Sequence, residues 1–152
     1  MQIVKRLNRY EETGRSLLSD LQSGIILDAG CGENLYKIFN PTIIGVDIAS
    51  TEADILADIV DLPFETATFD KVLCFGVFSE DRTLCEEQLL EILRVTKQNG
   101  VIYLRCTVNH IVIDLLSKLL IYKPGKTINN KETGSERFFA AYYNTACESS
   151  YL

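Results

Sequence analysis

Ile25-Ile26-Leu27-Asp28-Ala29-Gly30-Cys31-Gly32-Glu33-Asn34 is the stretch whose reading decides the fold of this 152-residue chain. Apolar or small residues, Ile25 to Leu27 and Ala29, carry one acid at Asp28 and run into two glycines one residue apart. That pattern predicts a buried parallel strand ending in a tight loop. Glycines let the chain turn sharply and bring bare amide hydrogens to a ligand, and the helix start expected at Leu35 adds its own unpaired amides. The loop is therefore read as a cofactor loop.

Two cofactor classes compete for it, and the acid separates them. The dinucleotide fingerprint needs a third glycine three residues after the second, where a helix packs closely on the strand; Leu35 stands there. An anionic pyrophosphate gains nothing from a carboxylate two residues before the first glycine, whereas a cofactor carrying an ammonium and a sulfonium does. Leu27-Asp28-Ala29-Gly30-Cys31-Gly32 resembles the first motif of the class I S-adenosylmethionine (SAM) methyltransferases. At Asn34 that family usually has another glycine, and asparagine tolerates positive φ better than most residues. The resemblance implies an α/β fold, a three-layer Rossmann-like and mostly parallel sheet, with Asp28, Gly30 and Gly32 holding the methionine part of SAM.

Downstream, Ile43 to Asp47 reads as a second buried strand ending in an acid, nineteen residues after Asp28. Rossmann-type folds present a carboxylate to both ribose hydroxyls about 20 residues on, at the end of the next strand. Asp47, with Ile48 beside it, fits that place; taken alone, a strand-terminal aspartate is also an ordinary turn former. Asp54 to Asp58 predicts a third strand, yet the intervening residues are too few for the usual crossover helix, so that helix is expected to be missing. Ala57 to Phe64, followed by Thr68-Phe69-Asp70, is similar to a compact methyltransferase pattern. The similarity implies that Asp58 meets the adenine amino group and Ile59 lies beside the ring.

Lys71 to Phe75 predicts a fourth strand, whose carboxyl end should turn Cys74, Phe75 and Gly76 toward the methyl donor. Neither the Asn/Asp-Pro-Pro-aromatic motif of amino-methylating nucleic acid enzymes nor a Pro-Cys nucleophile is present, and Val77-Phe78-Ser79-Glu80 replaces the usual Leu-Glu-His. Glu80 to Thr96 has the spacing of an amphipathic helix, with Gly100 as its cap and Val101 to Arg105 as a fifth strand. Arg94 to Gly100 resembles the family's exit from that helix, so the resemblance covers residues 25 to 105.

Beyond it, Asn109 to Ile121 predicts a helix apolar on more than one face, which suggests burial on both sides, a homodimer or a partner. His110, the only histidine, and Glu80 are the candidate acid/base groups; a histidine at a helix end also occurs without catalytic duty. Residues 123–135 read as a loop. Phe138, Phe139, Tyr142 and Tyr143 recur at a spacing that favours a short helix, so the final strands of the fold are expected to be absent and the sheet to hold about five.

Composition bounds the function. Hydrophobic residues make up 47% of the chain, enough for one domain over residues 1–152, and the net charge of −6 with a pI near 4.8 argues against general nucleic acid binding. From Asp28 to Glu91 there are fourteen acids against three bases. The five cysteines show no C-x-x-C spacing, which fits reduced thiols in a cytoplasmic protein and no metal site. No apolar run is long enough for a membrane span. The leading expectation is SAM-dependent methyl transfer to a small-molecule acceptor, with S-adenosylhomocysteine as product. The alternatives are a non-catalytic SAM-binding or partner subunit and, weakened by Leu35 and Asp28, an NAD-dependent oxidoreductase.

Overall fold

A computed structural model describes residues 13–119, 121–122 and 137–145. Their order is α1 (Leu18–Leu21), β1 (Ile26–Ala29), a 3-10 turn (Leu35–Ile38), β2 (Ile44–Asp47), β3 (Ile55–Leu56), β4 (Phe69–Phe75), α2 (Arg82–Val95), β5 (Thr96–Thr107), α3 (Ile111–Leu119), β6 (Ile121–Tyr122) and β7 (Arg137–Tyr143). The strands form one seven-stranded sheet in the order β3-β2-β1-β4-β5-β7-β6. Pairing is parallel from β3 through β5, and β7 is antiparallel to both β5 and β6. The order reverses between β1 and β4, which opens a crevice at their carboxyl ends.

Alternation along the central strands builds two cores. Leu27, Val72, Cys74, Ile102 and Leu104 face α2 and α3. Ile26, Leu73 and Tyr103 face the other way, toward Leu17, Leu21 and Tyr36. Strands buried on both faces need apolar side chains at nearly every position, and the charged residues buried among the described ones are Asp28 and Arg105 near the carboxyl ends. Asp81 caps α2, its carboxylate accepting the Leu84 amide at 2.9 Å.

Three expectations change, and one is narrowed. The segment from Phe138 to Tyr143 is a strand, not a short helix, because Phe139 joins one core while Ala140 and Tyr142 join the other, a two-residue alternation. The final strands are therefore present, and the sheet exceeds the expected five. Helix α2 ends at Thr96, whose hydroxyl donates to the Ile92 carbonyl at 2.7 Å, rather than at Gly100. Helix α3 spends its apolar side on its own chain: Val112, Leu115 and Leu116 are buried, and Ile111, Ile113 and Leu119 pack on the same core. Burial on its own chain, one of the readings expected for residues 109–121, thus accounts for these apolar positions of α3. Residues 123–135 lie outside the described residues.

The missing helix between β2 and β3 is as expected, and side chains take over its work. Asp54 accepts the Gly45 amide at 2.7 Å, the Asn34 amide group at 3.2 Å and the Lys37 ammonium at 3.0 Å. Asn34, at φ 61, also donates to the Glu52 carbonyl at 3.0 Å, and it lies so close to Gly45 that any Cβ there would collide with its side chain. Between β3 and β4, Glu91 accepts the Leu62 amide at 2.6 Å while Arg94 binds Glu91 and donates to the Leu62 carbonyl at 3.1 Å. That clamp fastens the Leu62-Pro63 turn to α2.

Candidate functional site

At the carboxyl ends of β1, β2 and β4 lies a cavity of about 390 Å³, within the range of small-molecule sites. Gly30, Asp47, Ile48, Asp58 and Ile59, all expected at the site, line it together. Gly30 has φ 69, and a Cβ on it would meet Val77 Cγ2 at 2.6 Å, so only glycine lets the loop approach the end of β4. Gly76, also lining, has φ 69 and open space where a side chain would project.

Asp47 is the hub of the loops around this cavity. One carboxylate oxygen accepts the Gly32 amide at 3.0 Å, and the other accepts the Ala49 and Ser50 amides at 3.0 Å each. Partial burial works against its charge, but the amides of Ala49, Gly32, Ser50 and Ile48 outweigh that and hold it below the usual carboxylate range. Gly32 thus shapes the site through Asp47. Asp58 accepts the Val60 amide at 3.2 Å on one oxygen and is exposed toward the cavity it lines.

Asp28 sits behind the loop, 2% exposed, with Oδ2 making no hydrogen bond. Burial pushes its carboxyl up to about 8; the charge of Arg105 opposes this and that of Asp47 adds to it. Arg105, on the same face of the sheet, lies 4.8 Å over the Phe75 ring and donates to the Thr13 hydroxyl at 2.9 Å. An unpartnered buried carboxyl oxygen is costly, and it is the feature a positively charged ligand group would relieve.

Five expected residues do not line the cavity: Asp28 and Gly32, described above, and Cys74, Glu80 and His110. Cys74 is fully buried in the core facing α2 and does not line the cavity. Glu80 is exposed and also outside the lining. His110 Nδ1 accepts the Val112 amide at 3.0 Å, which leaves Nε2 as the protonated nitrogen donating to the Phe78 carbonyl at 3.0 Å. With both nitrogens engaged, His110 caps the start of α3. Cys31 is no nucleophile, because burial and the neighbouring Asp28, Asp47 and Asp54 push its thiol up to about 12. Ala57, Val77, Leu84 and Gln88 line the cavity without having been expected; the last two come from α2, whose spacing reads simply as core. Among the described residues no cluster of acids, cysteines or histidines could hold a metal ion, and no helix is long and apolar enough to cross a membrane.

A family profile described as a methyltransferase domain matches residues 27–104. The chain belongs to the methyltransferase-domain family. Its fold is that of the class I SAM-dependent methyltransferases. The N-methyltransferase NodS of Bradyrhizobium japonicum WM9, solved with S-adenosyl-L-homocysteine, superposes with a TM-score of 0.71 at 15% identity, over 90% of this chain and 86% of that one. A Haloferax volcanii complex of the Trm112 methyltransferase activator with a candidate methyltransferase gives a TM-score of 0.67 at 14% identity, over 93% of this chain and 92% of that one. In sequence, a candidate methyltransferase of Encephalitozoon cuniculi is 28% identical over 141 residues, covering 81% of this chain. The chain spans 59% of the length of that relative.

Proposed function

We propose that this methyltransferase-family domain binds SAM in the cavity between Gly30 and Asp58 and transfers its methyl group to a small-molecule acceptor. The observation that carries the reading is the convergence of Asp47, Asp58 and Gly30 on one cavity, with the unpartnered Asp28 carboxyl two residues before Gly30 in the chain. Asp28 holds the cofactor's ammonium, with Gly30 and Gly32 letting the loop backbone close on the methionine part. Asp47 takes the ribose hydroxyls on lone pairs its amide donors leave free. Asp58 accepts from the adenine amino group, and Ile48, 69% exposed on the cavity rim, covers the ring opposite Ile59. When bound, SAM supplies an electrophilic methyl group on a sulfonium.

The protein's part in the transfer is positioning, which can supply much of a rate enhancement by itself. Gly76 and Val77 border the open end of the cavity near Gly30, and neither offers an acid or base. Acceptors that are nucleophilic at neutral pH, such as amines or thiols with a fraction unprotonated, fit such an end. A second reading, a SAM-binding subunit that works with a partner, is favoured by that same lack of an acid/base side chain at Gly76 and Val77. Calorimetric titration tests both. SAM and S-adenosylhomocysteine are expected to bind and NAD is not, and Asp47→Ala should cost about 1.5–3 kcal/mol of the binding. A labelled-methyl assay against metabolite fractions then separates the readings: transfer abolished by Asp47→Ala supports the enzyme, and tight binding without transfer supports the subunit.

A further inference from the structure

We infer that Gln88 reads the adenine ring of the cofactor, its side-chain amide donating to one of the two ring nitrogens that flank the exocyclic amino group. The inference rests on the cofactor reading above. Gln88 stands on the inward face of α2 between Cys85 and Leu89, both fully buried, where an apolar residue would complete the core. It is itself 9% exposed. Its Oε1 accepts the Ser79 amide at 2.8 Å. A backbone N–H can only donate, so that bond fixes which end of the carboxamide is oxygen and turns Nε2 the other way. Nε2 makes no hydrogen bond among the described residues, and Gln88 lines the cavity together with Asp58 and Ile59. A donor pair already held in place by the Ser79 bond loses little freedom when a ligand in the cavity offers it an acceptor.

Adenine brings one at the right place. Its amino group donates, and each neighbouring ring nitrogen accepts. A carboxylate at Asp58 and a carboxamide at Gln88 on one cavity form the complement of that donor-acceptor edge. A purine with an oxo group at the amino position matches it poorly.

The test titrates S-adenosylhomocysteine and its 1-deaza and 7-deaza forms into the wild-type protein, Gln88→Leu and Gln88→Glu. Gln88→Glu keeps an oxygen for the Ser79 amide and has no N–H to donate, so it guards against a folding defect in the leucine variant. Wild-type protein is expected to bind one of the two deaza forms about tenfold more weakly than the parent, the worth of one hydrogen bond at a buried site. Gln88→Glu should bind the parent at least as weakly as that and should no longer distinguish it from that deaza form. Equal binding of all three ligands by the wild type, or parent-like affinity in both variants, would overturn the inference while leaving the cofactor reading intact. No binding of S-adenosylhomocysteine by the wild type would overturn both.

Discussion

The two halves of the sheet are held by different means. On one side β4, β5 and β7 are long, with seven to twelve residues, and cohesion is apolar: Leu89, Ile92, Leu93, Val112 and Leu116 of the packing helices are at most 1% exposed. From β1 to β3 the strands have two to four residues, the connections carry no α-helix, and cohesion comes from carboxylates that accept backbone amides. The crevice of this fold thus depends less on outer helices than on fixed strand ends. It also gives the acidic stretch a second meaning: Asp47, Asp54, Asp58, Asp70 and Glu91 each bind a backbone amide, so charge that looks like surface composition is partly scaffold.

The contrast is sharpened most by pH. Asp28, buried with its carboxyl raised to about 8, binds a proton in the folded state that the unfolded chain has already lost above its ordinary pKa near 3.8. Its contribution is complete below that value and is lost as pH rises toward 8. Stability of the ligand-free protein should therefore fall by about 1.4 kcal/mol per pH unit from pH 5 to near 7 and level off past 8, and Asp28→Asn should remove that slope. Asp47, Asp54, Asp70 and Glu91, held below the carboxylate range, act in the opposite sense and only in more acid solution. Denaturant titrations of both proteins across this window check the slope.

Substitution of one anchor in each half is the next largest effect. Leu89→Ala should cost about 2–5 kcal/mol of folding stability and leave the cofactor affinity of the folded protein near wild type. Asp54→Ala should cost less, about 1–2 kcal/mol, because it removes bonds to a half-exposed loop. It should nevertheless weaken S-adenosylhomocysteine binding severalfold, since Asn34 and the loop around Asp47 lose their tether. Equal losses of affinity in the two variants would erase the distinction between the halves.

What the sequence disclosed follows the same division. The crevice half was legible because its signals are local: an acid before two glycines, an acid nineteen residues on, and a connection too short for a helix. The far half was legible only up to β5. Phe138, Phe139, Tyr142 and Tyr143 satisfy a helical spacing and a two-residue alternation alike, and what makes them a strand is antiparallel pairing of Tyr103 with Ala141 and Leu104 with Ala140. Such a partner is remote in sequence. Gln88 escaped notice for a related reason, since helical periodicity marks it as inward-facing and only the fold shows that inward, at that turn, includes the cavity.

Hydrogen–deuterium exchange with and without S-adenosylhomocysteine tests the central claim most directly. Ligand-dependent protection is expected at residues 30–34, 47–50, 57–60 and 76–79, the loops at the carboxyl ends of the strands, with β7 and α3 unchanged. Protection confined to other segments, or none at saturating ligand, would contradict the account.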